Sequence, residues 1–340
     1  MEKNSNSWFF NADFEDFLAS EATSYTPKSS RQNQELEYFI LWLEDEALYS
    51  TKKYAHKYLD FISQIKQAEV KISSSIKGIK PWCASTDNKE LAIKLNSKIT
   101  STEFSLANDF SHEKIEIIKS MDQVEEGLLY KHPFGVSGIG HLTSPKDNKK
   151  INKCLEQQGS VIKEPILDRL LDFSTLVNAD TTMVYINDVD SYFQYKGTTI
   201  GIDFNIYSWF PQYQIHIQKI ISYYQSLGIK GSWSIDSFLY QEGSETHLYS
   251  LSEVNARKTM GYVAQALKNK YFQDYSYFRF KMLTSKKIVN GISNIELFEQ
   301  FNESVIQFSP EGNIFSIYGL AANSLIELDQ LDEELTISLI

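Results

Sequence analysis

The stretch of residues 252–261, S-E-V-N-A-R-K-T-M-G, limits what this chain can fold into more than any other part of it. It follows a strand-like run, residues 246–251. Side chains alternate between the two faces of a strand, so Glu253, Asn255 and Arg257 should share one face. Carboxylate and amide oxygens suit Mg²⁺, and a guanidinium suits a phosphate oxygen. Burying such a face costs free energy unless a charged ligand lies on it. The simpler alternative is a strand face that is exposed to solvent and whose charges form a salt bridge.

A second acidic strand is expected just upstream. Residues 234–240 are strand-like and include Asp236, and a turn at residues 242–244 separates them from the strand that carries Glu253. Two strands joined in this way form a hairpin, and their paired faces would bring Asp236 and Glu253 to one metal ion.

A glycine-rich loop follows a short apolar strand that carries Lys131. The loop contains Gly135, Gly138 and Gly140. Glycines let the backbone approach a ligand and direct N–H groups at an anion, and the lysine beside them can hold a phosphate. The loop is neither a Walker A loop, since no G-K-[ST] follows, nor a Rossmann fingerprint, since the glycine order is G-x-x-G-x-G. An ordinary hairpin turn is the alternative for the glycines alone.

A strand that stops at Pro165 divides the chain. Proline cannot donate to a strand ladder, so V-I-K-E-P predicts a hinge. A new strand is expected over residues 172–177, and residues 183–195 have strand character with a turn at residues 187–190. Residues 211–227 predict a helix that ends at Gly228.

The first third of the chain alternates between strand and helix patterns. Residues 54–70 predict a helix, and residues 86–99 predict another with Ser85 as its N-cap. The apolar run at residues 36–43 fits either a buried strand or a helix. This alternation indicates a small α/β domain up to about residue 105.

Composition narrows the classes of function. The chain has 340 residues and a net charge of −11, which argues against a nucleic-acid-binding surface. Cys83 and Cys154 lie far apart without metal-ligand spacing, so we expect free thiols in a reducing compartment. The first residues lack an apolar core of signal-peptide length, and no apolar run reaches transmembrane length. We therefore expect a cytoplasmic protein with no membrane partner.

Three stretches resemble, in their order along the chain, the ATP-grasp superfamily. They are the Lys131 strand with its glycine loop, the Glu-Pro hinge, and the two strands with the Asp…Glu-x-Asn pattern. The resemblance covers residues 80–270, and E-V-N-A-R-K-T-M-G is similar to ATP-grasp ligases with a short pre-ATP-grasp domain. It implies an α+β fold in which two α+β lobes hold a nucleotide between them. The implied parts are a pre-ATP-grasp α/β domain at residues 1–105, a small lobe with the glycine-rich flap at 106–165, and a C-terminal lobe with the metal site at 166–340.

The resemblance also implies a role for each matching residue. The expected metal ligands are Asp236, Glu253 and Asn255, which would hold two Mg²⁺ ions, with Mn²⁺ as the alternative. Arg257 and Lys131 are the expected catalytic cations, which neutralise charge on the transferred phosphoryl group. The expected nucleotide-binding residues are Lys98, Lys131, Gly135, Ser137, Gly138, Gly140, Lys163, Glu164, Ile166 and Asp172. In this set, Lys98, Lys131 and the flap would hold the phosphates, and the hinge at residues 163–167 would hold adenine. Asp172 would hold the ribose. Glu164 and Asp168 are the alternatives for that last role.

The implied activity is an ATP- and Mg²⁺-dependent carboxylate–amine ligase, which forms an amide or peptide bond through an acyl phosphate. This chemistry needs positioning and charge neutralisation rather than a side-chain nucleophile. The expected partners are ATP and small-molecule substrates, a carboxylate and an amine, the latter an amino acid or a peptide; the sequence leaves a homodimer open. The alternatives are an ATP-grasp kinase, a thiol ligase, and a non-catalytic nucleotide-binding regulatory or scaffold protein.

Overall fold

The N-terminal part of the chain is a small parallel sheet with helical connections. The computed structural model describes residues 7–27, 30–135, 141–179 and 181–340. The elements here are β1 (Ser7–Phe9), α1 (Phe14–Ala19), α2 (Arg31–Leu36), α3 (Phe39–Leu43), β2 (Ala47–Tyr49), α4 (His56–Lys66), β3 (Ile72–Ser73) and β4 (Ile79–Pro81). The strand order is β3-β2-β1-β4, and each neighbouring pair is parallel. The α/β prediction is confirmed, and the ambiguous run at residues 36–43 is helical.

Two helices lie where the sequence predicted one. They are α5 (Lys89–Asn96) and α6 (Lys98–Leu106). The side chain of Asn88, and not the predicted Ser85, caps α5 by accepting a hydrogen bond from the Leu91 N–H at 3.0 Å. Ser97 caps α6 in the same way. The prediction was wrong because two capping residues, each able to start a helix, lie nine positions apart.

The next part is a small antiparallel sheet covered by one helix. Its elements are β5 (Glu116–Ile118), β6 (Leu129–Lys131), β7 (His141–Thr143), α7 (Asn148–Gln158) and β8 (Val161–Glu164). The strand order is β5-β8-β6-β7. Apolar side chains of the sheet, among them Tyr130 and Val161, pack against Ile151 and Leu155 of α7.

The rest of the chain forms one large antiparallel sheet. Its strands are β9 (Asp168–Asn178), β10 (Thr181–Val189), β11 (Tyr195–Ile200), β12 (Ser232–Glu242), β13 (Glu245–Asn255), β14 (Tyr277–Thr284), β15 (Val305–Gln307) and β16 (Phe315–Ala322). Their order is β13-β12-β9-β10-β11-β14-β16-β15. The turn predicted at residues 187–190 is wrong: β10 continues to Val189, and the turn begins at Asp190, whose carboxylate accepts hydrogen bonds from the Tyr192 and Gln194 N–H groups.

Helices cover both faces of the large sheet. They are α8 (Phe210–Ser226), α9 (Met260–Tyr271), α10 (Asn294–Gln300) and α11 (Leu325–Leu339). The predicted face of α8 is buried against one face of the sheet, together with Ile235 and Leu251. On the opposite face, α9 and α3 pack over Tyr185 and Phe280 and leave the neighbouring area open. No helix of the described residues is both long and apolar enough to cross a membrane.

Candidate active site

The open face of the large sheet presents two acidic side chains at one point. Asp236 of β12 is paired with Glu253 of β13, as the predicted hairpin requires. Asp236 is also paired with Ser174 of β9 on its other side. Because alternate residues share a face, Ser174, Asp236 and Glu253 form a row across three neighbouring strands.

Hydrogen bonds join this row to Asn255. The Ser174 hydroxyl donates to Asp236 Oδ1 at 2.7 Å, and Asn255 Nδ2 donates to Asp236 Oδ2 at 2.9 Å. Asn255 Nδ2 also lies 3.4 Å from Glu253 Oε1. Burial raises the pKa of the Asp236 carboxyl, while these hydrogen bonds and the positive charges of Lys98 and Arg257 oppose the rise.

Lys98 contacts the carboxylate of Glu253. Its position follows from the break at Ser97, which places Lys98 in the first turn of α6 with 8% of its surface exposed. Burial lowers the pKa of Lys98 to about 8, against the attraction of Glu15 and Asp236. Lys98 therefore compensates one of the two carboxylate charges at this point of the cleft.

Arg257 lies beside the predicted metal ligands, and its main partner comes from the N-terminal part of the chain. Its Nε and Nη2 donate to Glu15 Oε1 of α1 at 3.0 and 2.5 Å. Its Nη2 also lies 2.9 Å from Asn255 Oδ1. Burial disfavours the charge of Arg257, but Glu15 outweighs burial and raises the pKa of the guanidinium.

Lys131 is buried in an ion pair with Glu164 across the small sheet. Lys131 Nζ lies 2.5 Å from Glu164 Oε1, and both side chains are at most 5% exposed. The Tyr249 hydroxyl lies 3.4 Å from the other carboxylate oxygen of Glu164. Burial lowers the pKa of Lys131, and Glu164 opposes this effect. Glu164 therefore orients Lys131 at the cleft.

The other hinge residues lie outside the cleft lining that the described residues form. The Lys163 ammonium pairs with Glu116 at 2.8 Å and Glu125 at 2.6 Å, and these hydrogen bonds raise its pKa. Ile166 is 56% exposed. Because its side chain is engaged with these two carboxylates, Lys163 could serve the predicted adenine site only through its backbone.

Asp172, the predicted ribose ligand, lies in the cleft and is paired with a residue that the sequence analysis missed. Arg169 Nη1 donates to Asp172 Oδ1 at 2.8 Å. The Arg169 guanidinium stacks on the rings of Phe238 and Phe193 at 3.9 and 4.5 Å. Residues three apart in a regular strand point to opposite faces, so nothing local in the sequence indicates this pair. The pairing of β9 with β12 has a register shift between Leu171 and Arg169, at the place where the pair forms.

Two further cleft residues, Asn187 and His141, were missed. Asn187 donates to the Ser174 hydroxyl at 2.7 Å and so supports Asp236 indirectly. The sequence analysis predicted a turn at Asn187. Asn187 lies two residues after Tyr185 on β10, so strand periodicity puts both side chains on the open face. His141 also lines the cleft, and burial, together with Lys131 and Arg169, lowers its pKa to about 3. His141 is therefore neutral at physiological pH.

The flap is described only at its beginning. Gly135 lines the cleft. Ser137, Gly138 and Gly140 lie outside the described residues, and their roles stay predictions.

Seven of the predicted site residues line one cleft, which has a cavity volume of about 260 Å³. They are Lys98, Lys131, Asp172, Asp236, Glu253, Asn255 and Arg257. Among the described residues, no three His, Cys, Asp or Glu side chains cluster as a metal site. Two carboxylates and a carboxamide do converge here, and hard oxygen donors of this type fit Mg²⁺ when phosphate oxygens and water complete the shell. Asp236, Glu253 and Asn255 therefore fit a nucleotide-bound magnesium ion.

Solved structures with the same architecture were found, while no protein-family model and no curated protein matches the chain. N5-carboxyaminoimidazole synthetase from Staphylococcus aureus complexed with ADP matches with a TM-score of 0.53 at 10% identity, over 99% of this chain and 98% of that one. Phosphoribosylamine–glycine ligase from Thermotoga maritima matches with a TM-score of 0.53 at 10% identity, over 98% and 97%. L-amino acid ligase from Bacillus licheniformis matches with a TM-score of 0.50 at 12% identity, over 75% of each chain.

Proposed function

Since this chain has the ATP-grasp fold, we propose that it is an ATP-dependent carboxylate–amine ligase that releases ADP. The named structural neighbours are ligases of that fold, and one of them is complexed with ADP. The fold alone does not select a reaction, so the proposal depends on the residues of the cleft.

The observation that carries the proposal is the pairing of Asp236 with Glu253 beside buried lysines. Asp236, Glu253 and Asn255 supply hard oxygen donors, while Lys98 and Lys131 line the same cleft as cations. A charge-rich cleft of this kind suits a nucleoside triphosphate with its metal. The pairs of Lys98 with Glu253 and Lys131 with Glu164 keep both lysine charges compensated before the nucleotide binds.

The chemistry that the cleft supports is acyl activation. A substrate carboxylate oxygen attacks the γ-phosphorus of ATP, and the bond to the ADP oxygen breaks, which gives an acyl phosphate and ADP. An amine then attacks the acyl carbon and expels phosphate, losing a proton as the amide forms. Lys98 and Lys131 hold phosphate oxygens, and Arg257 faces the transferred group. Bound Mg²⁺, held by Asp236, Glu253 and Asn255, would supply further charge neutralisation at the phosphates.

The nucleoside end of the site is the part nearest the hinge. We propose that backbone groups of residues 163–167 hold adenine and that Asp172 accepts a ribose hydroxyl. The Arg169 pair fixes the Asp172 carboxylate, which leaves its second oxygen for the ribose. The use of two metal ions and a cytoplasmic location stay predictions from the sequence.

The experiment is an assay of ADP release with a matrix of carboxylates and amines. A ligase releases ADP when both substrates are present and forms their amide, which mass spectrometry detects. Replacement of the amine by a thiol tests a thiol ligase, and a stable phosphorylated product without an amine indicates a kinase. Mg·ATP binding without ADP release for any pair in the matrix would favour a regulatory protein and contradict the proposal.

A further inference from the structure

Hydrogen bonds between polar side chains cross the open face of the large sheet and lead to Asp236. They begin on β11, where the hydroxyl oxygens of Tyr195 and Thr198 lie 2.6 Å apart. Thr198 Oγ1 lies 3.2 Å from Asn187 Oδ1 on β10, and Asn187 Nδ2 lies 2.7 Å from Ser174 Oγ on β9. Ser174 Oγ lies 2.7 Å from Asp236 Oδ1 on β12. These five side chains form one continuous network over four neighbouring strands.

The charge of Asp236 sets the direction of the bonds in this network. A carboxylate only accepts hydrogen bonds, so the Ser174 hydroxyl must donate to it. Because that proton is committed, Ser174 accepts from the Asn187 amide nitrogen that faces it. The Tyr185 hydroxyl also faces Ser174 and serves it only as a second donor, for the same reason. The Asn187 carbonyl oxygen is therefore turned to Thr198, and the Thr198 hydroxyl donates to it.

The Asn187 amide is held at both ends, and the loss of the outer partner would release it. Tyr195 serves Thr198 as a donor, since the Thr198 proton is committed to Asn187. Without the Thr198 hydroxyl, the Asn187 carbonyl oxygen would lose its donor, which costs free energy. Asn187 lines the cleft, so its amide would turn into the cleft to reach water. The support of Asp236 by Ser174 therefore depends on a residue two strands further away.

The other carboxylate oxygen of Asp236 is supported in a matching way. Asn255 Nδ2 donates to Asp236 Oδ2 at 2.9 Å, and Asn255 Oδ1 accepts from Arg257 Nη2 at 2.9 Å. A guanidinium only donates, so Arg257 fixes the orientation of the Asn255 amide. Each oxygen of Asp236 thus has one donor that is oriented from outside, and each keeps lone-pair capacity for a cation.

We propose that Asn187 and Thr198 are positioning residues of the metal site, which hold the Ser174 hydroxyl as a donor and so fix the Asp236 carboxylate for a divalent cation. The inference rests on the proposed function, since it concerns the support of the same metal ligand. Thr198 is 0% exposed, so it acts on a bound cation only through Asn187 and Ser174. Partners that orient a metal ligand in this way typically change metal affinity about 10- to 100-fold.

The test measures metal affinity and needs no turnover. Mn²⁺ is the probe, because it takes the same hard oxygen ligands as Mg²⁺ and its paramagnetic resonance signal measures the free ion. It is titrated into the protein in the presence of a non-hydrolysable ATP analogue. Thr198→Val keeps the shape of the side chain and removes the hydroxyl, so affinity for Mn²⁺ should fall about tenfold. Thr198→Ser keeps the hydroxyl and should bind Mn²⁺ as the unchanged protein does.

Thr175→Val is the matched control. Thr175 is also 0% exposed and also contacts a tyrosine hydroxyl, that of Tyr213 at 2.8 Å, but on the face of the sheet that α8 covers. Both valine variants should lower the unfolding midpoint, whereas only Thr198→Val should lose affinity for Mn²⁺. Equal affinity of the two valine variants, or a failure of Thr198→Ser to restore affinity, overturns the inference.

Asn187→Leu is a second variant, which tests the same network if Thr198→Val does not fold. Leucine is close to asparagine in shape and removes both ends of the amide, so affinity for Mn²⁺ should fall at least as far as in Thr198→Val. Unchanged affinity in Asn187→Leu, or no binding of Mn²⁺ by the unchanged protein, overturns the inference. Binding of Mn²⁺ without ADP release for any pair of substrates contradicts the proposed ligase alone.

Discussion

Asp236 and Glu253 lie directly opposite each other on neighbouring antiparallel strands, with the ammonium of Lys98 against Glu253. Two carboxylates at directly opposed positions repel each other, so this pairing destabilises a sheet unless a cation is shared. Lys98 supplies part of that charge. One carboxylate charge is left over, which is consistent with our proposal that a divalent cation binds here with the nucleotide.

Removal of the Glu253 charge should reduce catalysis strongly. Glu253→Gln keeps the size of the side chain and removes one negative charge from the proposed metal site. We expect the rate of ADP release at saturating Mg²⁺ to fall by at least about two orders of magnitude, roughly 3 kcal/mol in the barrier. Glu245→Gln, at the exposed turn end of the same strand, is the matched control and should be near normal. Near-normal turnover in a folded Glu253→Gln protein would remove Glu253 from the metal site.

Nucleotide affinity should depend on the protonation of Lys98. Burial lowers the pKa of Lys98 from 10.5 to about 8, so its ammonium, which we propose attracts phosphate, is present below that pH and lost above it. Affinity for Mg·ATP should therefore fall as pH rises through about 8. Lys98→Arg keeps its charge at these pH values, and its affinity profile should be flat. Parallel profiles for the two proteins, obtained by titration calorimetry, would exclude Lys98 as the titrating group.

Gly261 is required by its contact with Tyr185. A Cβ at position 261 would overlap the Tyr185 hydroxyl, whereas a Cβ at Gly291 meets no atom within 4 Å. Gly261→Ala should destabilise the protein by about 1–3 kcal/mol, because a buried ring must move or the helix must shift. Urea unfolding compares Gly261→Ala with the control Gly291→Ala. Equal stability of the two variants would show that the Tyr185 ring moves away from position 261 without a loss of stability.

Glu15 should stabilise the contact between α1 and the active-site strand. Glu15→Gln leaves the buried Arg257 guanidinium without its charged partner, so we expect a loss of about 1–3 kcal/mol in unfolding free energy. Glu21→Gln, at an exposed position nearby, is the control. An unfolding midpoint equal to that of the control would show that Arg257 finds another partner.

The sequence predicts the residues of the acidic hairpin because their signal is local. Asp236 and Glu253 lie on two alternating strands joined by a two-residue turn at 243–244, and strand periodicity puts both carboxylates on one face. Their direct opposition depends in addition on a register shift between Asp236 and Phe238, which strand periodicity does not predict. The same logic predicts the buried face of α8. The parallel N-terminal sheet also follows from the alternation of strand and helix patterns.

The partners of the charged residues could not be predicted from the sequence. Glu15 and Arg257 are 242 positions apart, and nothing local to either residue indicates the ion pair. Arg169 and Asn187 were missed for a related reason, since their roles depend on which strands become neighbours in the large sheet. The single predicted helix over residues 86–99 was wrong because Ser97 starts a new helix, and this break is what places Lys98 at Glu253.

The most direct measurement of the central claim is the fate of a carboxylate oxygen. A carboxylate substrate labelled with ¹⁸O is incubated with ATP, Mg²⁺ and an amine, and the phosphate released is analysed by mass spectrometry. An acyl phosphate requires one carboxylate oxygen to leave with phosphorus, so the account predicts one ¹⁸O in phosphate for each amide formed, with ADP as the other product. Unlabelled phosphate alongside amide, or release of AMP and pyrophosphate, would contradict it.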